Sequence, residues 1–311
     1  MIVVDAHCDT ITKIMETNSN LYKNNCNVDL QRLKKNKKFV QFFAAFVDQS
    51  IYHSQTLKRA VEIIDAFYQG VEAYKDVITL CCNYNDIEKS FKDEKVAAIL
   101  SIEGGEALQG DVSALRIFYR LGVRSICLTW NYRNEIADGV GESETRGGLT
   151  LFGKELVKEM NSLGMLIDLS HISENGFWDV MKLTKQPIIA SHSNAKKICS
   201  HIRNLTDEQI IAIKENRGVI GINLCPDFLK DGGNAGLKDI VKHIEYIAGL
   251  TGFDHIGLGA DFDGIDALPK GINGVEDIYK IADELLKLNY SNENVEKFLG
   301  KNFLRVIKEV L

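Results

Sequence analysis

Short runs of apolar, often β-branched residues alternate with helical patterns along the whole chain of 311 residues. Continuous apolar runs of this length are typical of parallel strands that are buried on both faces. Eight such runs occur, at residues 2–6, 40–47, 96–102, 123–129, 165–169, 187–190, 218–223 and 255–260. Strands that alternate with helices predict βαβ units and therefore a parallel sheet.

The segments between these runs repeat apolar residues every three or four positions, which predicts amphipathic helices. We expect helices over residues 57–74, 149–163, 173–183, 236–250, 275–288 and 292–311. A further helix should run to Glu215, because Thr206 and Gln209 have the spacing of a capping box. Ser173 is the expected N-cap of the third of these helices.

Eight strand–helix units favour a closed (β/α)₈ barrel of the TIM type over an open, doubly wound sheet. The open sheet would usually carry the sequence G-x-G-x-x-G. The Gly-x-Gly sequences at residues 257–259 and 139–141 do not complete it, because Phe262 and Glu144 stand at the sixth positions. No linker rich in proline and serine divides the chain, so we expect a single barrel domain over residues 1–311.

Composition narrows the class of protein. The chain has 37 basic and 43 acidic residues, a net charge of −6, and no basic stripe, which argues against nucleic acid as a partner. It has no apolar stretch of about 18 residues, so no contact with a membrane is expected. Seven cysteines, an odd number without a CxxC motif, favour a reducing compartment, and we expect a cytoplasmic protein without a secretory signal.

Potential metal ligands follow five of the predicted strands. They are His7 and Asp9 after the first, Glu103 after the third, His171 after the fifth, His192 after the sixth and Asp261 after the eighth. Each alone is weak evidence, since a histidine at a strand end is more often an ordinary polar residue. Together they indicate an active site, because the C-terminal ends of barrel strands meet at one rim.

Imidazoles combined with carboxylates suit zinc better than magnesium or calcium. One carboxylate can bridge two ions, and Glu103 is the natural candidate for that bridge. Two ions that share a hydroxide can hydrolyse an amide without a protein nucleophile. Cys8 is a poor nucleophile, since in an extended strand its side chain points away from those of His7 and Asp9.

The segments around these ligands resemble the membrane dipeptidase (renal dipeptidase) family of zinc metallopeptidases. The matching sequences are HCD at residues 7–9, IEGG at 102–105, DLSH at 168–171, SHS at 191–193 and GADFDG at 259–264. Their order and spacing agree with the family from residue 2 to about residue 305.

The resemblance implies a (β/α)₈ barrel with two zinc ions (Zn2+), which cleaves dipeptides with L,L and L,D configuration by means of a metal-bridging hydroxide. His7, Asp9 and Glu103 would hold one ion, and Glu103, His171 and His192 the other. Asp261 matches the proton carrier, and Arg203 matches the arginine that binds the carboxylate of the substrate. Homodimers are common in the family.

One position departs from the family. Its animal members have a histidine that holds the substrate carbonyl, and Trp130 stands in its place here. Asn131 or another donor would supply that contact, or the metal would act alone. The main alternative function is another dinuclear amidohydrolase, acting on N-acyl amino acids or cyclic amides. A scaffold that has lost catalysis is disfavoured, because Asp261 is not needed for ligation.

Overall fold

The computed structural model describes residues 1–311, and its centre is a parallel sheet of nine strands. The strands are β1 (Val3–Asp5), β2 (Phe39–Phe46), β3 (Ile78–Leu80), β4 (Val96–Glu103), β5 (Val123–Cys127), β6 (Leu166–Asp168), β7 (Ile189–Ala190), β8 (Val219–Ile222) and β9 (Ile256–Leu258). All the pairings are parallel. The eight predicted strands are therefore confirmed, and β3 is an addition.

Eight strands close into the predicted barrel in the order β1, β2, β4, β5, β6, β7, β8, β9, with β9 pairing back to β1. The closure depends on β4, which pairs with β2 from Ala97 to Glu103. The extra strand β3 pairs only with residues 96–98, at the beginning of β4, and β5 pairs with its later residues. β3 is thus a side strand that does not line the barrel mouth.

The helices lie between the strands and after them. They are α1 (Thr10–Glu16), α2 (Leu30–Leu33), α3 (Gln49–Tyr52), α4 (Thr56–Ala73), α5 (Tyr84–Lys92), α6 (Val112–Arg120), α7 (Leu151–Leu163), α8 (Glu174–Leu183), α9 (Asp207–Glu215), α10 (Pro226–Leu229), α11 (Leu237–Thr251), α12 (Ile278–Lys287), α13 (Asn292–Glu296) and α14 (Asn302–Val310). None of them is long and apolar enough to cross a membrane.

Local signals in the sequence set several of the helix boundaries. The side chain of Ser173 accepts a hydrogen bond from the backbone of Gly176 and caps α8 as expected. Thr206 and Gln209 form the expected capping box at the start of α9. Two expectations need correction: residues 275–277 are a 3₁₀ turn before α12, and the C-terminal tail is not one continuous helix.

A π-helical segment, Lys297–Lys301, separates α13 from α14. Within it, Gly300 lies so close to the backbone of Ile2 and Val4 that a Cβ atom would be 2.8 Å from the Ile2 carbonyl oxygen. Phe303 of α14 then packs on Phe42, with ring centroids 6.5 Å apart. The tail therefore closes the N-terminal end of the barrel, opposite the end at which the predicted ligands lie.

Candidate metal centre

Just after β1, the side chains of His7 and Asp9 are directed to the same side. Cys8 between them forms a β-bridge with Phe262, and the Asp9 N–H donates to the Phe262 carbonyl at 2.9 Å. The Cys8 side chain is fully buried, and this burial raises the pKa of its thiol well above its usual value. A neutral, inaccessible thiol agrees with the expectation that Cys8 is not a nucleophile.

Three residues at the ends of other strands have a left-handed backbone that non-glycine residues seldom adopt. His171 after β6 has φ +68°, and Asp261 and Asp263 after β9 have φ +60° and φ +68°. Such conformations cost free energy and occur often at functional sites. Here they turn the side chains of His171 and Asp261 into the barrel mouth.

Glu103, the last residue of β4, lies between two groups of side chains. Its Oε2 atom is 3.2 Å from His7 Nε2, and its Oε1 atom is 2.9 Å from His171 Nε2 and 3.6 Å from His192 Nε2. Asp9 Oδ2 is also 3.2 Å from His7 Nε2. The five side chains thus meet in one buried cluster, with the carboxylate of Glu103 in the middle.

Asp261 also belongs to this cluster. Its Oδ1 atom lies 3.8 Å from His7 Nε2, and its Oδ2 atom accepts a hydrogen bond from Asn223 Nδ2 at 2.8 Å. Ligand atoms of His7, Asp9 and Asp261 all lie within 4.8 Å of one another, as do those of His7, Glu103 and His192. Asn223 stands at the end of the seventh predicted strand, but an asparagine there is too weak a signal to have indicated this contact.

Hydrogen bonds behind the cluster orient two of the imidazoles. His171 Nδ1 lies 2.8 Å from Asn131 Oδ1, so Nδ1 donates and Nε2 keeps its lone pair. His192 Nδ1 donates to Ser191 Oγ at 2.8 Å, because the Ser191 hydroxyl donates its own proton to Asp168. Partners of this kind are typical of the outer shell of a metal site, and the sequence alone did not indicate them.

The orientation of these imidazoles directs electron-rich atoms at one another. His171 Nε2 and His192 Nε2 are 2.8 Å apart, and both face Glu103 Oε1. Two lone pairs and a carboxylate at such distances repel each other unless a cation lies between them. Asp9 Oδ1 is a further buried oxygen without a hydrogen-bond partner. The donor set therefore fits a metal ion of the zinc type, which prefers imidazole and carboxylate ligands.

Burial dominates the protonation of His171, His192 and the carboxylates of Glu103 and Asp261, whereas at His7 the charges of Glu103 and Asp9 outweigh burial and raise the pKa well above its usual value. Burial lowers the pKa of His171 and His192 well below the usual value, with help from the charges of His7 and Arg203, so both rings are neutral and suited to ligation. Burial also raises the pKa of Glu103 to about 7, although His7 opposes the shift. The pKa of Asp261 is raised for the same reason. Buried carboxylates of this kind are stabilised in their charged form by a cation.

Arg203 lies beside the cluster with most of its hydrogen-bond donors unused. The side chain is 4% exposed, only Nη2 donates, to the His192 carbonyl at 3.2 Å, and Nε has no partner. No carboxylate lies within 4.0 Å of the guanidinium group. Burial lowers its pKa, yet a guanidinium remains charged at any ordinary pH. A buried cation without an anionic partner is suited to bind an anion from outside.

One cavity of about 320 Å³ joins these groups, and Glu103, His171, Arg203 and Asp261 line it. Trp130 and Asn131, the two predicted substrate contacts after β5, line it as well. Phe46, Cys225 and Phe228 are further lining residues that the sequence did not single out. The guanidinium of Arg203 lies 5.6 Å from the centre of the Phe228 ring. The cavity is thus the place where a small molecule would reach both the cluster and the free cation.

Known proteins resemble this chain over most of its length. The model of the family described as membrane dipeptidase (peptidase family M19) matches residues 1–311. Dipeptidase tcpJ from Claviceps purpurea is 34% identical over 296 residues, which are 91% of this chain and 69% of that protein. Dipeptidase aclJ from Aspergillus oryzae is 33% identical over 294 residues, 91% of this chain and 70% of that protein.

Two solved structures resemble the whole chain. One is a metallopeptidase described as dipeptidase AC of family M19, with a TM-score of 0.93, 28% identity, and coverage of 100% of this chain and 98% of that one. The other is a metallopeptidase from Rhodobacter sphaeroides, with a TM-score of 0.93, 27% identity, and coverage of 100% and 99%. The second was solved with a phosphinate mimic of the dipeptide L-Ala-D-Ala.

Proposed function

Because this chain belongs to the membrane dipeptidase family, and is thus a metallopeptidase that hydrolyses peptide bonds, we propose that it cleaves dipeptides with two zinc ions. The observation that carries the proposal is the position of Glu103, whose Oε2 faces His7 and whose Oε1 faces His171. A carboxylate that offers each oxygen to a different imidazole suits a bridge between two ions.

The ligands divide into two sets that share this bridge. His7, Asp9 and Glu103 would hold one ion, and Glu103, His171 and His192 would hold the other. When bound, the ions would polarise the peptide carbonyl and lower the pKa of the attacking water. The neutral state of His171 and His192 supports their role as ligands, because imidazole binds a metal only when it is unprotonated.

Asp261 would move the proton. Its Oδ1 atom is directed at the cluster, while the hydrogen bond from Asn223 holds Oδ2 and fixes the plane of the carboxylate. Asp261 Oδ1 would accept a proton from the attacking water and return it to the nitrogen of the leaving amine. No net proton is gained or lost by the enzyme in this cycle.

Arg203 would fix the substrate by its C-terminal carboxylate. The guanidinium group is buried beside the cluster and has free donors, and a carboxylate can accept two parallel hydrogen bonds from such a group. Trp130 and Asn131 would contact the remainder of the substrate, since both line the same cavity. This arrangement suits a ligand as short as a dipeptide.

We include L,D-dipeptides among the substrates, supported by the L-Ala-D-Ala mimic bound to the Rhodobacter sphaeroides relative. The odd number of cysteines supports a reducing, cytoplasmic location. The resemblance to the family supports a homodimer.

The test is hydrolysis of L-Ala-L-Ala and L-Ala-D-Ala by protein of defined metal content, with N-acetyl-alanine and cyclic Ala-Ala as competing substrate classes. We expect both dipeptides to be cleaved, a chelator to abolish activity, and added zinc to restore it. Cleavage of the acylated or cyclic compound in preference to the dipeptides would overturn the assignment. Full activity with one ion per chain would overturn the two-metal site.

A further inference from the structure

Resting on the function proposed above, we propose that Phe46 and Trp130 form the surface that receives the side chain of the substrate's N-terminal residue. The enzyme then favours dipeptides that begin with an apolar residue. We call the two residues the aromatic wall.

The two rings of the aromatic wall pack on each other beside the metal-ligand cluster. Phe46 is the last residue of β2 and Trp130 follows β5, and their ring centroids are 5.2 Å apart. The Trp130 ring is also 6.3 Å from the ring of His171. Both aromatic residues are half-buried and line the cavity of about 320 Å³. Apolar ring surface is therefore accessible from the place where the peptide bond would lie.

The order of strands in the barrel sets the direction of the substrate. β2 and β5 flank β4, which carries Glu103 at its end. Arg203 follows β7 and Phe228 follows β8, and these strands lie on the opposite side of the closed barrel. A dipeptide with its carboxylate at Arg203 and its peptide bond over Glu103 must extend its N-terminal residue towards Phe46 and Trp130.

Four charged side chains outside the metal-ligand cluster also line the cavity, from a different part of its rim than Phe46, Trp130 and Arg203. Lys13 and Glu16 belong to α1, after β1, and Asp263 and Asp266 follow β9. The one positive and three negative charges of these four residues favour the ammonium group of a dipeptide over an acidic side chain. A carboxylate placed against the aromatic wall would lose water without gaining a partner, which is unfavourable. The cavity therefore selects apolar over acidic N-terminal residues.

The experiment measures kcat/KM of the zinc-loaded protein for Gly-Ala, Leu-Ala, Phe-Ala and Asp-Ala. Leu-Ala and Phe-Ala should exceed Gly-Ala by about 10-fold, the usual scale of selection by an apolar pocket, and Asp-Ala should fall below Gly-Ala. Trp130→Ala and Phe46→Ala should each reduce the Leu-Ala to Gly-Ala ratio to about threefold or less. Trp130→Phe should keep most of the preference, because a ring remains.

Phe228→Ala is the matched control, since it removes a ring of the same size from the opposite side of the same cavity. It should leave the Leu-Ala to Gly-Ala ratio unchanged, whatever its effect on overall rate. Equal cleavage of Gly-Ala and Leu-Ala by the wild type would overturn the inference, and so would a ratio that only Phe228→Ala lowers. If one alanine variant fails to fold, the other alanine variant and the wild-type ranking together still decide the matter.

The same data separate this inference from the function beneath it. If the metal-loaded protein cleaves none of the four dipeptides, the proposed function fails. If it cleaves them without regard to the N-terminal residue, only the role of the aromatic wall fails.

Discussion

Asn131 Oδ1 lies 2.8 Å from His171 Nδ1, on the side of the imidazole that faces away from Glu103. This hydrogen bond fixes the ring so that Nε2 is directed at the cluster. Asn131 also lines the substrate cavity. Its side chain is thus placed both to orient the metal ligand His171 and to contact the substrate, and a measurement of metal affinity distinguishes these two roles.

The first prediction concerns this hydrogen bond. Asn131→Ala should weaken binding of the ion held by Glu103, His171 and His192 by about 10- to 100-fold, the usual effect of removing a hydrogen-bond partner of a metal ligand. It should spare the ion at His7 and Asp9. Titration against a competing chelator measures both affinities. Tyr132→Ala, which removes a neighbouring side chain that is 45% exposed, should leave them unchanged. A raised KM with normal metal affinity would show that Asn131 acts on the substrate instead.

The second prediction concerns the bridge. Glu103→Ala should lose both ions, because each of its carboxylate oxygens faces a different group of ligands. His192→Ala should lose one ion and keep the one at His7 and Asp9. Elemental analysis of dialysed protein gives the number of ions per chain. Two ions retained by Glu103→Ala would mean that the sites do not share this carboxylate.

The third prediction concerns the proton carrier. Asp261→Asn keeps the shape of the side chain and can still accept a hydrogen bond from Asn223, but it cannot take up a proton. We expect kcat to fall by at least about 100-fold, the usual scale for loss of a general base, with near-normal metal content. Parallel loss of metal and activity would mean that Asp261 is a metal ligand. Its ligand atom lies close enough to those of His7 and Asp9 for that role.

Asp263→Asn is the matched control for that experiment. Asp263 lies two residues further along the same loop, and its carboxylate accepts hydrogen bonds from Thr10 Oγ1 at 2.6 Å and from the Asn27 N–H at 2.7 Å. Its role is to hold the loop, so the variant should lose stability more than kcat. A kcat loss equal to that of Asp261→Asn would point to a general effect on the loop.

The barrel was predictable because apolar runs and helical segments alternate along the whole chain. The barrel strands lie in mainly apolar runs, and a polar residue such as Glu103 or His192 stands at or just after the end of several of them. Parallel strands bring those ends together, so the order of the residues predicts a shared site without any knowledge of distances. β3 escaped prediction because its three residues, Ile78–Leu80, pair only with the start of β4 and leave little pattern.

The parts of the site that were not predicted are those that depend on three-dimensional packing. Phe46 stands inside an apolar run, where nothing distinguishes a ring in a cavity from a ring in the core. The chain of hydrogen bonds from Asp168 through Ser191 to His192 joins the ends of two strands, and neither Asp168 nor Ser191 is unusual in its own segment. Asn223 and Asp261 also come from the ends of two different strands, and the sequence does not indicate the hydrogen bond between them.

The fourth prediction concerns stability and pH. Glu106, in the turn after β4, is 3% exposed, and neither oxygen of its carboxylate has a hydrogen-bond partner. Burial raises its pKa from 4.5 to about 7. The pKa of Glu106 is thus higher in the folded protein than in the unfolded chain, so protonation of this side chain stabilises the folded state. This contribution to the unfolding free energy is fully present below pH 4.5 and is lost as the pH rises through 7.

Glu106→Gln should remove that dependence, because the amide stays neutral at every pH. The variant should gain up to about 3 kcal/mol in unfolding free energy relative to wild type between pH 4.5 and pH 8, the equivalent of the pKa shift. Urea denaturation of metal-saturated protein at pH 5, 6.5 and 8 measures the difference. Glu135→Gln changes an exposed neighbour and should show no such trend. A difference that does not vary with pH would mean that Glu106 is ionised in the folded protein.

The last prediction tests the substrate class through Arg203. The metal ligands cannot distinguish a dipeptide from its C-terminal amide, so a cation near the leaving residue must do so. Arg203 is buried, has free donors and has no carboxylate within salt-bridge distance. A charge-assisted pair with a carboxylate contributes roughly 1.5–3 kcal/mol, or about 10- to 150-fold. Wild type should prefer Ala-Ala over Ala-Ala-amide by about that factor.

Arg203→Met should erase most of the preference by slowing cleavage of the acid alone, because the amide never used the charge. Arg203→Lys should recover part of it, since the charge returns but the planar fork that binds both oxygens does not. Chirality at the C-terminal Cα should matter less than the carboxylate, because the guanidinium binds the charge and not the side chain. The measurement is kcat/KM for acid and amide, each with L- and D-alanine, on the three proteins. If wild type cleaves the amide as well as the acid, the free donors of Arg203 serve another ligand and the proposed orientation of the substrate is wrong.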